Sequence, residues 1–132
     1  MRAGEDLTAR RSYGQVCPIA KTLDVIGDRW TLLIIRDMLL GAAKFKDFLE
    51  RQPAMPARIL SDRLKKLEAA GIIERRIYSE HPLRAEYHLT RRGEALQPVL
   101  LAIGSWGLDE FFDKRERRAF VKRLAAHGIH VR

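Results

Sequence analysis

Residues 56–76, PARILSDRLKKLEAAGIIERR, combine an aliphatic stripe with a polar opposite side. The stripe has the i, i+4, i+7 spacing of one helix face and consists of Leu60, Leu64 and Leu67. The opposite side carries Arg58, Asp62 and Lys65. Gly71 ends the pattern, as glycine commonly does at the end of a helix. The segment therefore predicts a helix that packs by its leucines and leaves a polar face available for binding.

Three further helices are predicted before this segment. Residues 17–26 are amphipathic and end at Gly27. In the next stretch, RWTLLIIRDMLLG at 29–41, residues 30–40 are apolar on most faces, so we expect this helix to cross the core and to end at Gly41. A short helix is predicted at 45–49, and the prolines of QPAMP at 52–56 separate it from the polar-faced helix.

A strand pattern follows the polar-faced helix. The runs IIERRIYS at 72–79 and AEYHLT at 85–90 alternate apolar and polar residues, which is typical of half-buried strands. The intervening SEHPLR at 79–84 predicts a β-hairpin with a six-residue polar tip. A long final helix is then predicted, capped by Thr90 and bent near its start by Pro98. Its apolar surface is too wide for a helix surrounded by solvent and includes Leu96, Val99, Leu100, Ile103, Trp106 and Leu108.

This order of elements is typical of a winged helix-turn-helix. We therefore predict a mainly α-helical fold of the α+β class, with a small β-hairpin as its wing. In such a fold the polar-faced helix enters the DNA major groove, and the hairpin lies along the backbone or minor groove. The expected groove-facing residues are Arg58, Ser61, Asp62, Arg63, Lys65 and Lys66. The expected wing contacts are Arg75, Arg76, His81 and Arg84.

Other roles are open for some of these residues. A charged helix face can simply be solvated, although the adjacent hairpin and the positive net charge favour DNA. Arg63 lies beside the leucine stripe, so it can either reach a phosphate or brace the fold. The same fold without base readout would be an architectural or protein-binding module, which is the alternative to a sequence-specific regulator.

The charge distribution agrees with double-stranded DNA as a partner. The net charge is +8 over 132 residues, from 25 Lys and Arg against 17 Asp and Glu. Residues 56–92 contribute +4 and residues 113–132 contribute +5, so the excess lies in two zones. A surface of this sign attracts phosphates. The sequence contains no Gly-rich phosphate loop, His-Glu-x-x-His helix or G-x-S-x-G turn, so an enzyme is not expected.

Four segments of the chain resemble, in the same order, the HxlR-type winged helix-turn-helix transcriptional regulators of bacteria and archaea. They are CPIAKTLDVIGDRWTLLIIRDMLLG from position 17, KFKDF from 44, LSDRLKKLEAAGIIERR from 60 and RAEYHLTRRGEALQPVL from 84. The resemblance implies a homodimer that binds an inverted or direct repeat in a promoter, to repress or to activate. The chain departs from many relatives at Pro56 and Ala57, where they have Ser or Thr, so its recognition helix is expected to lack a side-chain N-cap.

The resemblance also implies that the first and last helices build the dimer interface. We expect that interface to contain Ile19, Leu23, Leu96, Leu100, Ile103 and Trp106. The chain then has an N-terminal arm at 1–16, a DNA-binding and dimerisation domain at 17–112 and a basic extension at 113–132. The extension combines a charge run with an apolar stripe, which predicts a helix with its charged side in solvent or at the dimer edge.

Cys17 is the candidate thiol sensor. It stands at the start of the first helix, where the helix N-terminus stabilises a thiolate. Some regulators that this chain resembles sense electrophiles or oxidants at this place, and a small-molecule effector is a further option. A small buried interface residue is the alternative. Because the chain has one cysteine, a thiol response requires an adduct or an intersubunit disulfide.

No cofactor and no metal are expected. His127 and His130 are three residues apart, but two ligands alone rarely hold a metal. No run reaches the roughly 18 apolar residues of a membrane span, and the first residues do not lead into a signal-type apolar segment. Together with the single cysteine, this predicts a cytoplasmic protein without a membrane partner.

Overall fold

The computed structural model describes Gly14 and residues 16–129, in two units divided between Leu96 and Gln97. The N-terminal unit contains α1 (Pro18–Ile26), α2 (Thr31–Leu39), α3 (Phe45–Arg51), α4 (Ala57–Ala69), β1 (Ile73–Glu80), β2 (Leu83–Leu89) and the single-turn α5 (Arg91–Glu94). The C-terminal unit contains α6 (Gln97–Phe111) and α7 (Lys114–Ala125). This order confirms the predicted winged helix-turn-helix. Most of the predicted N-terminal arm lies outside the described residues, and so does His130.

The core of the N-terminal unit forms around α2 and the leucine stripe of α4. Ile34 and Ile35 of α2 and Phe48 of α3 are completely buried. The three α4 leucines are buried as well, with at most 1% of their surface exposed. Burying one leucine contributes about 1.5–3 kcal/mol, so this stripe alone gives α4 a strong preference for one orientation. The helix therefore turns its other side outward.

The ends of α3 and α4 differ in their polar contacts. The Asp47 carboxylate accepts the N–H groups of Lys44 at 2.9 Å and Ala43 at 3.1 Å, which caps α3 and holds the pKa of Asp47 below its ordinary value. α4 begins after Pro56 without any side-chain cap, as predicted. It ends before Gly71, whose φ of +74° is a conformation that side chains with a Cβ rarely adopt.

The hairpin differs from the prediction at its tip. β1 and β2 pair antiparallel as far as Glu80 opposite Leu83, so only His81 and Pro82 connect them. The expected six-residue tip is therefore wrong. Strand pairing uses main-chain groups, which polar residues supply as well as apolar ones, so the polar composition of 79–84 did not prevent it.

The region after the hairpin also differs from the prediction. The Thr90 hydroxyl caps α5 by accepting the N–H of Gly93 at 3.2 Å, so Thr90 does not cap the long helix. The long helix begins separately at Gln97. Pro98 has no N–H to donate to the carbonyl of Glu94, which interrupts the helical hydrogen bonding at this point. Pro98 therefore stands in the first turn of α6 and does not bend a continuous helix.

The C-terminal unit joins α6 to α7 through Phe112 and Asp113. The Asp113 carboxylate accepts the N–H of Glu116 at 2.7 Å, and the Glu116 carboxylate accepts the N–H of Asp113 at 3.0 Å. This capping box starts α7, and the rings of Phe112 and Phe120 pack with their centroids 5.7 Å apart. The helix predicted in the basic extension is thus present. The domain limits at 17–112 and 113–132 stay predictions.

Gly93 gives the fold a testable constraint, because a Cβ at this position would lie 2.2 Å from the carbonyl oxygen of Ile72. We expect Gly93→Ala to lower the free energy of unfolding by about 1–3 kcal/mol, since a main-chain segment must move to admit the methyl group. Urea unfolding followed by circular dichroism measures this. The control is Glu94→Ala, an exposed neighbour expected to change stability by less than about 0.5 kcal/mol. Equal urea midpoints for wild type and Gly93→Ala would contradict the close approach of Gly93 to the carbonyl oxygen of Ile72.

Candidate nucleic-acid interface

The outward side of α4 carries an exposed polar stripe. Arg58, Asp62 and Lys65 are exposed, and Ser61 and Lys66 flank them as half-buried residues. Within the part of the chain that the structure describes, Arg58 and Lys65 take part in no ion pair. Five of the six residues predicted for the groove therefore lie on one accessible side of the helix.

Arg63, the sixth residue, is turned inward. Its side chain is 14% exposed, and its Nε lies 3.0 Å from Oδ1 of Asp28, although the N–H is not directed at that oxygen. Its Nη1 donates to Oδ2 of Asp62 at 2.6 Å. Of the two roles open to Arg63, this geometry corresponds to bracing the fold.

Asp28 occupies the turn before α2 and was not identified from the sequence. One carboxylate oxygen accepts the N–H groups of Trp30 at 2.9 Å and Thr31 at 3.0 Å, and the other accepts the Thr31 hydroxyl. Burial raises the pKa of Asp28, but these hydrogen bonds and the approach of Arg63 outweigh it, so the net pKa lies below the ordinary value. Its cap-like place before a helix was visible in the sequence, whereas its contact with α4 was not.

The four predicted wing residues are all exposed, but they differ in charge environment. The Arg76 Nε donates to Glu74 at 2.8 Å, and Glu86 stands directly opposite Arg76 on β2. Arg75 and Arg84 have no ion-pair partner among the described residues. Two wing cations are thus free to contact phosphate, whereas the charge of Arg76 is largely neutralised.

Lys44 is a wing cation that the sequence analysis missed. Its Nζ lies 5.1 Å from the centre of the Tyr78 ring on β1, and its main chain forms an isolated bridge with Glu86. The neighbouring Ala43 carbonyl accepts the N–H of Tyr87 at 2.7 Å. The segment before α3 therefore pairs with β2 as a minimal third strand and brings Lys44 to the hairpin.

The residues predicted for a dimer interface expose much apolar surface. Exposed fractions in the N-terminal unit are 71% for Ile19 and 43% for Leu23. Those in the C-terminal unit are 51% for Ile103 and 60% for Trp106. Leu96 and Leu100 are half-buried. Each unit, taken by itself, therefore leaves large apolar side chains exposed.

Cys17 stands where the sequence placed it, at the N-cap of α1. It is half-buried and carries a free thiol, and its carbonyl accepts the N–H of Lys21 at 2.9 Å.

The described residues contain no cluster of three or more His, Cys, Asp or Glu that could hold a metal. In the same part of the chain, every helix is too short or too polar to span a bilayer.

Comparisons with known proteins agree with this architecture. The family model of the HxlR-like helix-turn-helix matches residues 25–116. The HTH-type transcriptional regulator sll1512 of Synechocystis sp. is 38% identical over 96 residues, which cover 73% of this chain and 71% of the relative.

Two solved structures of transcriptional or redox regulators are also similar. The redox regulator HypR in its reduced form is 37% identical, with a TM-score of 0.65, over 69% of this chain and 90% of that chain. The reduced form of the transcriptional regulator YodB from Bacillus subtilis is 35% identical, with a TM-score of 0.62, over 75% of this chain and 97% of that chain.

Proposed function

This chain belongs to the HxlR-like helix-turn-helix family of DNA-binding transcriptional regulators, and on that basis we propose that it binds operator sequences as a homodimer. It acts in the cytoplasm on promoters that carry an inverted or direct repeat. The observation that carries this proposal is the exposed polar stripe on α4, because its cations have no ion-pair partner among the described residues and face away from the core.

The stripe suits readout of base edges. In helix-turn-helix proteins the N-terminal residues of the recognition helix reach the bases, and Arg58 is the second residue of α4. An arginine at this place can donate two hydrogen bonds to one guanine. Ser61 can bond a base edge or a phosphate, and Lys65 and Lys66 lie further along the helix, where phosphates are the natural partners.

The wing supplies contacts that do not depend on sequence. Arg75 and Arg84 are exposed and unpaired among the described residues, so each can neutralise one phosphate. His81 at the tip can donate to the backbone or the minor groove. Arg76 contributes less, because Glu74 already neutralises its charge.

A homodimer accounts for the exposed apolar side chains of α1 and α6. Two recognition helices in one dimer read half-sites about one helical turn, or roughly 34 Å, apart. Such an arrangement also explains why a chain of this size leaves Trp106 and Ile103 more than half exposed.

An architectural module is the alternative, and competition separates the two functions. Operators would be selected from genomic fragments with the full chain, and complexes would then be challenged with random duplex DNA. A regulator retains its operator in the presence of about 100-fold excess competitor, since specific binding is typically at least 10³-fold tighter. Loss of all complexes to random DNA would favour the architectural module.

Cys17 is proposed as an oxidant-responsive thiol of this regulator. The support is its position at the start of α1, its partial exposure and the similarity to regulators described as redox-responsive. In a dimer, two Cys17 thiols can lose two protons and two electrons to an added oxidant and form an intersubunit disulfide.

Substitutions on α4 and the wing have different expected effects. Arg58→Ala should weaken operator binding by about 1–3 kcal/mol and relax the preference at one base pair per half-site. Arg84→Ala should weaken binding to all sequences alike and reduce the salt slope by about 1 per subunit. Fluorescence anisotropy at several salt concentrations measures both. Wild-type affinity and slope in both variants would rule out this assignment of helix and wing.

The substitution Trp106→Glu tests the proposed homodimer. Sedimentation equilibrium at micromolar concentration should give a dimer for wild type and a monomer for Trp106→Glu, because a charge would enter an apolar interface. Gln97→Glu adds the same charge on the same helix at an exposed position and should remain dimeric. A monomeric wild type would overturn the dimer.

The thiol response is tested with diamide. Wild type treated with diamide should lose operator affinity and migrate as a covalent dimer without reductant, and dithiothreitol should restore both properties. Cys17→Ser should be unaffected, since the chain has no other cysteine. If treated wild type keeps its affinity, or if Cys17→Ser loses it equally, Cys17 is not the sensor.

A further inference from the structure

Arg63 and Asp28 connect the middle of α4 to the start of α2. The Arg63 Nε lies 3.0 Å from Oδ1 of Asp28, and the two side chains are only 14% and 21% exposed. The same oxygen of Asp28 accepts the main-chain N–H groups of Trp30 and Thr31. The carboxylate is therefore held on α2 by hydrogen bonds of its own, which makes it a fixed point for the guanidinium.

α4 needs a polar contact of this kind in addition to its apolar packing. The leucine stripe decides which side of α4 faces the core, but apolar contacts are non-directional and tolerate small slides and rotations. The first turn of α4 receives no side-chain hydrogen bond at Pro56. The attraction between two opposite charges that are mostly buried weakens as they separate, so the pair favours the position of α4 at which Arg63 lies against Asp28, although the Nε–H is not directed at the carboxylate oxygen. Nη1 of Arg63 also lies 2.6 Å from Oδ2 of the exposed Asp62, and this ion pair offsets part of the negative charge on the outward side of α4.

We propose that Asp28 is a positioning residue for base readout, which acts through Arg63 by holding α4 at the depth and rotation that its exposed stripe requires. The proposal rests on the operator binding proposed above. Asp28 is an anion in the turn between α1 and α2, so phosphate would repel it. Removing its charge makes the protein more positive, and simple electrostatics then predicts tighter binding to operator and random DNA alike, with an unchanged ratio of the two affinities. Loss of positioning instead lowers that ratio.

The experiment measures the dissociation constants of the full chain for its selected operator and for random duplex DNA, at several salt concentrations. Asp28→Asn removes the charge but keeps an oxygen for the Trp30 and Thr31 N–H groups. Arg63→Lys keeps the positive charge but alters the geometry of the pair. Glu68→Gln is the matched control, because it removes one negative charge from an exposed position on α4 itself.

We expect Asp28→Asn and Arg63→Lys each to lower the ratio of operator to random-DNA affinity by roughly three- to tenfold, with the salt slope unchanged. The double variant should lose no more than the larger single effect, because both changes break one contact. Glu68→Gln should keep the wild-type ratio. A reduced fraction of folded protein scales both affinities equally, so it does not change the ratio.

Three outcomes would overturn the proposal. Asp28→Asn could keep the wild-type ratio. It could tighten both affinities as Glu68→Gln would, which is a pure charge effect. Arg63→Lys could weaken operator and random-DNA binding by the same factor, which would leave the ratio unchanged and point to a phosphate contact that does not depend on sequence. If wild type itself prefers no sequence, the proposed operator binding fails, and that result is distinct from all three.

Discussion

Burial of three leucines on one side of α4 is the constraint on which the rest of the structure depends. Leu60, Leu64 and Leu67 lie within 1% of complete burial, and α3 packs on α4 while α2 packs on α3. Because the helix repeats every 3.6 residues, this burial leaves Arg58, Asp62 and Lys65 facing outward. A contact that contributes to stability thus also selects the side chains available to DNA.

Carboxylates at helix ends supplement this apolar packing. Asp28 caps α2 and meets Arg63 on α4, and Asp47 caps α3. Asp37 is 2% exposed, and it accepts Nη2 of Arg36 at 2.9 Å and Nε2 of Gln52 at 3.2 Å, which links the end of α2 to the end of α3. The helices of the helix-turn-helix are therefore held by apolar contacts along one face and by polar contacts to carboxylates. The attraction between Arg63 and Asp28 opposes small displacements of α4.

Elements with a strong local pattern could be predicted from the sequence. The leucine spacing predicted α4, and Gly27, Gly41 and Gly71 marked the ends of the first, second and fourth helices at the positions that the structure gives. The short tip of the hairpin could not be predicted in this way, because pairing of polar residues depends on main-chain groups.

Contacts between residues far apart in the sequence could not be predicted either. The sequence placed Arg63 beside the leucine stripe and left two roles open, since its partner Asp28 is 35 residues away and is brought close only in the folded chain. Lys44 was missed for the same reason, because it joins the hairpin through a main-chain bridge to Glu86. By contrast, the outward exposure of Arg58 follows directly from its position relative to the leucines.

The central claim is that the outward stripe of α4 meets the bases while Arg63 remains in the fold. The arginine Nε–H resonances of the isotope-labelled protein, recorded by NMR with and without operator, test it most directly. On operator binding the Arg58 resonance should shift strongly and that of Arg63 should stay close to its free position, because Asp28 holds it. An unchanged Arg58 resonance, with shifts concentrated in the arginines of α7, would contradict the account.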